Sequence, residues 1–221
     1  MSCAICETRK EKRFCLALHG RICRQCCAEQ REVTLDCPSE CVYLQQAREH
    51  EKPSAEEFAE KVKDADLFAK VDLSGDFVDE HRELIVAFSY AVAKCARADR
   101  SVYDRDLIAA LTSLSKRYET RINSGLHYES PITSLAQQAI SAEVQNMLME
   151  FRQAEQKHFG YARLRDTDVL RALVFLLRMA YRKSMGRAKS RAFIDFLLAQ
   201  FPVNESAILA PDQVGSRLVM P

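Results

Sequence analysis

Beyond residue 50, apolar side chains return every third and fourth position over most of the chain, the spacing that lines one face of an α-helix. From residue 79 to 97 the stripe is Leu84, Ile85, Phe88, Ala91, Val92 and Cys95, which places Cys95 in a core. Asp104 is suited to cap a second helix with Leu107, Ile108, Leu111, Leu114 and Tyr118 on one face, ending before Gly125, and a loop follows through Glu129. The longest pattern starts near Pro131 and keeps Leu135, Ile140, Val144, Met147, Leu148, Phe151, Ala154 and His158 in register until Gly160. After Thr167 as a cap, Val169, Leu170, Leu173, Val174, Leu176, Leu177 and Met179 are apolar on most sides, which predicts a helix in the middle of a bundle. A last helix is expected from Ser190 to Phe201, before Pro202.

Shorter signals flank these. A helix through Val42, Tyr43, Leu44 and Ala47 should stop at Pro53. Ser54-Ala55-Glu56-Glu57 is a capping-box pattern for a helix carrying Phe58, Val62 and Ala65, with Gly75 closing that unit. The tail holds Ile208, Leu209, Val214, Leu218 and Val219, which suit a groove. The expected organisation is a small domain over 1–50, a helical bundle over 53–201 and an extended tail over 202–221. At 221 residues, one ordinary domain plus something small is the natural division.

Composition agrees with a mostly α fold. Gly and Pro number six each and Trp is absent, which disfavours turn-rich all-β architectures. The net charge of +1 leaves no global footprint for nucleic acid or an anionic membrane. The most apolar later stretch is broken by Arg171 and Arg178, so no bilayer span is expected.

Cysteine changes the picture. Eight of the nine fall within the first 41 residues, and Met1-Ser2-Cys3 lacks the basic start and apolar core of a secretory signal, so metal chelation in a reducing cytoplasm is expected over a disulfide framework. Cys3-x2-Cys6 and Cys23-x2-Cys26, sixteen residues apart, have the two-knuckle spacing that brings four thiolates onto one tetrahedral Zn²⁺. Between them, residues 13–22 read as a hairpin with Gly20 at the turn, and a helix can begin at Arg24 and run to Glu32. Knuckle, hairpin and helix in that order describe a treble-clef finger.

Neighbouring side chains on a helix point about 100° apart, so Cys26 and Cys27 should face different ions. Cys15, Cys27, Cys37 and Cys41 then remain for a second structural zinc, with His19 a possible substitute for Cys27. If Pro38 opens a helix, Cys37 and Cys41 share its face. Iron–sulfur ligation and redox thiols are the competing uses of such a set. Four sulfurs close a zinc coordination sphere, so both ions are expected to support folding rather than catalysis. Eight thiolates and two divalent ions would together subtract four charges, leaving the finger mildly acidic.

The run Arg13-Phe14-Cys15 through Ile22-Cys23-x2-Cys26-Cys27, then Arg31 and Asp36-Cys37-Pro38-x2-Cys41-x-Tyr43-Leu44, resembles the N-terminal signature of uncharacterised prokaryotic proteins with a helical remainder. The resemblance covers about a fifth of the chain and implies no activity. In arrangement the module is also similar to the cross-braced fingers of the MYND, HIT and B-box families, which implies contacts with proteins. It departs from them in the Cys26-Cys27 doublet and in lacking a terminal His/Cys ligand pair.

Three further groups are candidates. Arg171, Arg178, Arg182, Lys183, Arg187, Lys189 and Arg191 lie between Val169 and Ile194 with no acidic residue among them, a possible phosphate or anion contact with Tyr181 available for stacking. Because helix C-termini attract cations, a solvated basic turn is the simpler reading. Glu155-x-x-His158 matches half of a di-iron bundle motif, but no second such pair occurs and His158 is in register with the apolar stripe, so a core histidine is expected. Asp76, Asp79, Glu80 and His81 gather at a helix start, where acids are favoured by the dipole alone. No phosphate-loop, H-E-x-x-H or G-x-S-x-G motif is present. The sequence therefore favours a non-enzymatic zinc-finger adaptor or regulatory protein that binds another protein. An RNA- or DNA-binding factor is the alternative, and a helical-bundle metalloenzyme comes third. It leaves the oligomeric state open.

Overall fold

The computed structural model describes residues 1–51, 54, 56, 58, 68–126 and 134–202. The helix expected over 54–65, the boundary at Pro53 and the tail from 203 onward lie outside these residues or fall largely outside them. Strands β1 (Arg13–Cys15) and β2 (Gly20–Ile22) form an antiparallel hairpin with Phe14 opposite Arg21. Helices α1 (Arg24–Gln30) and α2 (Val42–His50) complete the N-terminal module. The helical body contains α3 (Gly75–Glu80), α4 (Arg82–Ala98), α5 (Asp104–Ser124), α6 (Leu135–Phe159), α7 (Asp166–Lys183) and α8 (Ala192–Gln200). The fold is thus mostly α, with a small cysteine-rich hairpin module at the N-terminus.

Among the described residues, the buried apolar side chains other than Leu44 fall into two separate clusters, one in each part. Helix α7 is central: Val169, Leu170, Ala172, Leu173, Val174, Leu176, Leu177 and Ala180 are all buried, as an all-round apolar helix requires. It packs against α5, while α4 packs against α6 and α8. Gly125 and Gly160 end α5 and α6 in left-handed backbone, the conformation that glycine adopts without a Cβ clash.

Several local expectations change. Gly20 lies in β2, and the left-handed position of the hairpin turn is taken by His19. Helix α1 stops at Gln30 because Glu32 is itself left-handed. Cys37 to Cys41 do not form a helix; Cys41 is the residue before α2, so Pro38 is not a first helical position. Gly75 opens α3 instead of closing a unit, since the Ser74 hydroxyl accepts the Phe77 N–H at 3.2 Å. Cys95 is only half-buried, at the edge of the core.

Asp104 is the most instructive change. Tyr103 precedes α5 and its N–H is bonded by Asp106, which frees the Asp104 side chain to cap a different helix. Its fully buried carboxylate accepts Ser190 Oγ at 2.8 Å and the backbone N–H groups of Phe193 and Ile194 at 3.3 and 3.1 Å, at the start of α8. Burial raises its pKa to about 6, against the opposing pull of these hydrogen bonds. Between pH 4 and 6 the folded chain therefore keeps a proton that the unfolded chain has released. This group's contribution to stability should fall as pH rises, by about 1.4 kcal/mol per unit at most. Denaturant midpoints at pH 5 and 7.5 should show a smaller pH difference in Asp104→Asn than in wild type, and equal differences would refute the assignment.

The basic turn joins the two parts. Arg187 Nη1 donates to the carbonyls of Ala28 and Arg31 at 3.0 and 2.9 Å, and the Lys189 N–H donates to the Glu32 carbonyl at 2.7 Å. Lys189 Nζ reaches Asp36 at 2.7 Å, and Asp36 also accepts the Tyr103 hydroxyl at 2.7 Å. Arg48 of α2 bridges Glu32 and Asp195 at 2.7 and 2.8 Å. The cysteine-rich module is thus docked by ion pairs and carbonyl contacts onto the end of the body where α5 and α8 begin.

Candidate metal centre

Cys3, Cys6, Cys23 and Cys26 present sulfurs that all lie within 4.8 Å of one another. A tetrahedral tetrathiolate zinc with Zn–S bonds near 2.3 Å places its sulfurs roughly 3.8 Å apart, so this set fits such an ion with little adjustment. Local chain geometry explains the convergence. The first knuckle is closed by Cys3 N–H to the Arg9 carbonyl at 2.9 Å and Glu7 N–H to the Cys3 carbonyl at 2.8 Å, with Glu7 in left-handed backbone. It is held to β2 by Ala4 N–H to the Arg21 carbonyl at 3.0 Å. The second knuckle is the start of α1: Cys23 is the N-cap, and its sulfur accepts the Cys26 N–H at 3.4 Å.

Other donors also point at these sulfurs. Cys3 Sγ accepts the N–H groups of Cys23 at 3.2 Å and Ile5 at 3.5 Å, and Arg9 Nη1 lies 3.7 Å from Cys23 Sγ. Burial opposes ionisation of Cys3, yet the backbone donors outweigh it and lower its pKa. Cys6 is lowered to about 6 by the Thr8 hydroxyl and the backbone of Arg9 and Thr8. Cys26 moves the other way, pushed up to about 12 by burial and by its neighbouring sulfurs. One thiol that resists ionisation among crowded sulfurs is what a cation would relieve.

Among the described residues, this is the one group of cysteine, histidine and carboxylate donors drawn together so closely. The expected second quartet is not drawn together in this way: Cys15, Cys27, Cys37 and Cys41 line one small cavity between the hairpin, α1 and the start of α2. His19 is exposed and does not line it, whereas Cys27 does. Cys26 and Cys27 thus face different quartets, as helical geometry requires. Burial pushes Cys37 up to about 11, with the charges of Cys15 and Cys41 adding to the effect. The nine cysteines are free thiols in this structure.

The remaining candidates take other roles. Arg178 donates to the carbonyls of Phe68 and Val71 at 2.6 and 2.9 Å. Arg191 donates to those of Arg100 and Val102 at 2.6 Å each and to Ala96 at 3.1 Å, closing the C-terminus of α4. Arg182 and Lys183 sit over the rings of Phe58 and Phe196. Arg171 bonds the Asp72 carbonyl at 2.9 Å. With Arg187 and Lys189 committed to the docking contacts, the sequence-adjacent cations are dispersed over several internal partners.

His158 is exposed, which corrects its expected place in the core: Glu155 and Phe159 of the same helix end line a cavity with Phe77 and His81, whereas His158 does not. Glu155 is half-buried because its carboxylate accepts the N–H groups of Arg163 and Leu164 at 3.1 and 3.0 Å, bracing the turn into α7. Asp76, Asp79 and Glu80 are exposed on α3, while His81 stacks on Phe77 and lies 3.8 Å from Asp168.

Sequence reasoning missed the two arginines aimed at sulfur, Arg9 on Cys23 and Arg13 on Cys27, the latter at 3.4 Å. Both precede their cysteine by fourteen residues, a repeated interval that was readable. No helix is long and apolar enough to cross a membrane among the described residues. The chain matches no protein-family model, no curated protein and no solved structure. The likeness to MYND, HIT and B-box fingers therefore rests on sequence arrangement alone.

Proposed function

We propose that this chain is a non-enzymatic adaptor or regulatory protein of the cytoplasm, in which a zinc-held finger of treble-clef arrangement presents a surface to a protein partner. The reading is supported above all by the hairpin: Phe14, Leu16 and Leu18 are 49%, 39% and 45% exposed on an element tied to the first cysteine knuckle through the Ala4 N–H and the Arg21 carbonyl. Large apolar side chains held out on a rigid scaffold gain most by burial against another protein. Four thiolates around zinc also leave no open position for a reacting water, which favours a structural ion. The proposal extends to a second ion held by Cys15, Cys27, Cys37 and Cys41.

The test is affinity capture with wild type against Leu16→Asp/Leu18→Asp, with zinc content measured for both. A specific protein should be retained by wild type and lost from the variant at unchanged zinc. Equal capture by both would overturn the reading. So would a nucleic-acid ligand whose log K against log salt has a slope of several released counterions.

A further inference from the structure

We infer that Cys15, Cys27, Cys37 and Cys41 form a second tetrathiolate site for a thiophilic divalent cation of the zinc class. Their sulfurs come from β1, α1, the loop after it and the residue before α2, so no local rule gathers them. They nevertheless line one cavity of about 10 Å³, among Ile22, Leu35 and Leu44. A space of that size takes about one small atom, and an isolated water there would have few oxygen or nitrogen partners.

One positive group is aimed at this otherwise apolar pocket and a second borders it. Arg13 Nη1 donates to Cys27 Sγ at 3.4 Å, the counterpart of Arg9 on Cys23 in the first centre. Arg31 lines the same cavity at 7% exposure; its Nη1 pairs with Glu51 at 3.4 Å, while its buried Nε–H has no hydrogen-bond partner among the described residues. Neutral thiols are weak acceptors and give little reason to aim the Arg13 guanidinium at one. Four thiolates around a divalent ion carry a residual charge of two negatives, which the Arg13 guanidinium partly offsets, with the Arg31 guanidinium, shared with Glu51, beside it. The inference rests on the first quartet being a zinc site, since both use one donor chemistry within one module.

Metal content measured on full-length protein purified under reducing conditions separates the two claims. Wild type should carry two zinc ions per chain, Cys41→Ser one, and Cys6→Ser one. Because either variant could fail to fold, cobalt titration of metal-free wild type supplies a second reading: thiolate-to-cobalt absorbance should saturate at two equivalents. Saturation at one equivalent, with Cys41→Ser retaining all the wild-type zinc, would overturn the second site and leave the first standing. No bound metal at all would remove both.

Discussion

Removing bound metal with a chelator should unfold the first fifty residues while the helical body keeps its structure. Cys23 is 4% exposed, caps α1, and its sulfur lies among those of Cys3, Cys6 and Cys26 with the Arg9 guanidinium at 3.7 Å. The buried members of its cluster are Cys3, Cys15, Ile22, Cys23, Cys26, Cys27 and Leu35, so most of the core is sulfur and little of it is hydrocarbon. A module of this size cannot offset its chain entropy by apolar burial alone. Structural zinc in small fingers is worth on the order of 10 kcal/mol, larger than any other single contribution available here. The body has an independent core around Phe88, Leu107, Leu173 and Phe193, each at most 1% exposed. Far-UV circular dichroism should therefore retain most helix signal, while hydrogen exchange shows loss of protection before residue 50. A finger whose amides stay protected after complete metal removal would contradict the assignment.

The next largest effect is expected at Arg48. Glu32 is 2% exposed and its carboxylate receives Arg48 Nη2 at 2.7 Å; Arg48 Nη1 goes on to Asp195 at 2.8 Å. Burial disfavours the charged Arg48, yet Glu32 and Asp195 together raise its pKa, so the three charges are mutually dependent. Arg48→Ala would leave the Glu32 carboxylate inside the protein with the Arg191 backbone N–H at 3.5 Å as its remaining hydrogen-bond donor among the described residues. Breaking such a buried pair costs about 3–5 kcal/mol. The thermal midpoint should drop by roughly 10 °C. Adding Glu32→Gln should recover part of the loss, because the stranded charge is then gone. A decrease below about 1 kcal/mol would mean that the pair behaves as an exposed one.

What was readable in advance follows rules that act over a few residues. The three-to-four spacing of Leu84 through Val92, and the all-round apolar run of Val169 through Leu177, dictate helices and their buried faces, and the structure has both. The paired x2 spacings of Cys3, Cys6, Cys23 and Cys26 announce one metal cluster, and the helical angle separates Cys26 from Cys27. Errors came where a local rule was applied to a side chain with a distant partner. Asp104 has the sequence of a cap for its own helix but caps α8, eighty-six residues away from Ser190 in the chain. His158 keeps the apolar period yet is exposed, because period alone does not say which positions of a helix find a neighbour to cover them.

The sequence by itself determined the helical body and the first thiolate cluster, since both depend on backbone periodicity and on ligands a few residues apart. Only the tertiary structure decided what the basic turn does. Arg187, Lys189 and Arg191 look alike as a charged stretch, but their contacts lie as far as 159 residues away, at Ala28, and as near as the end of α4. A guanidinium's partner is set by which carbonyls and carboxylates the packed chain brings within about 3 Å of it, and no spacing rule carries that information.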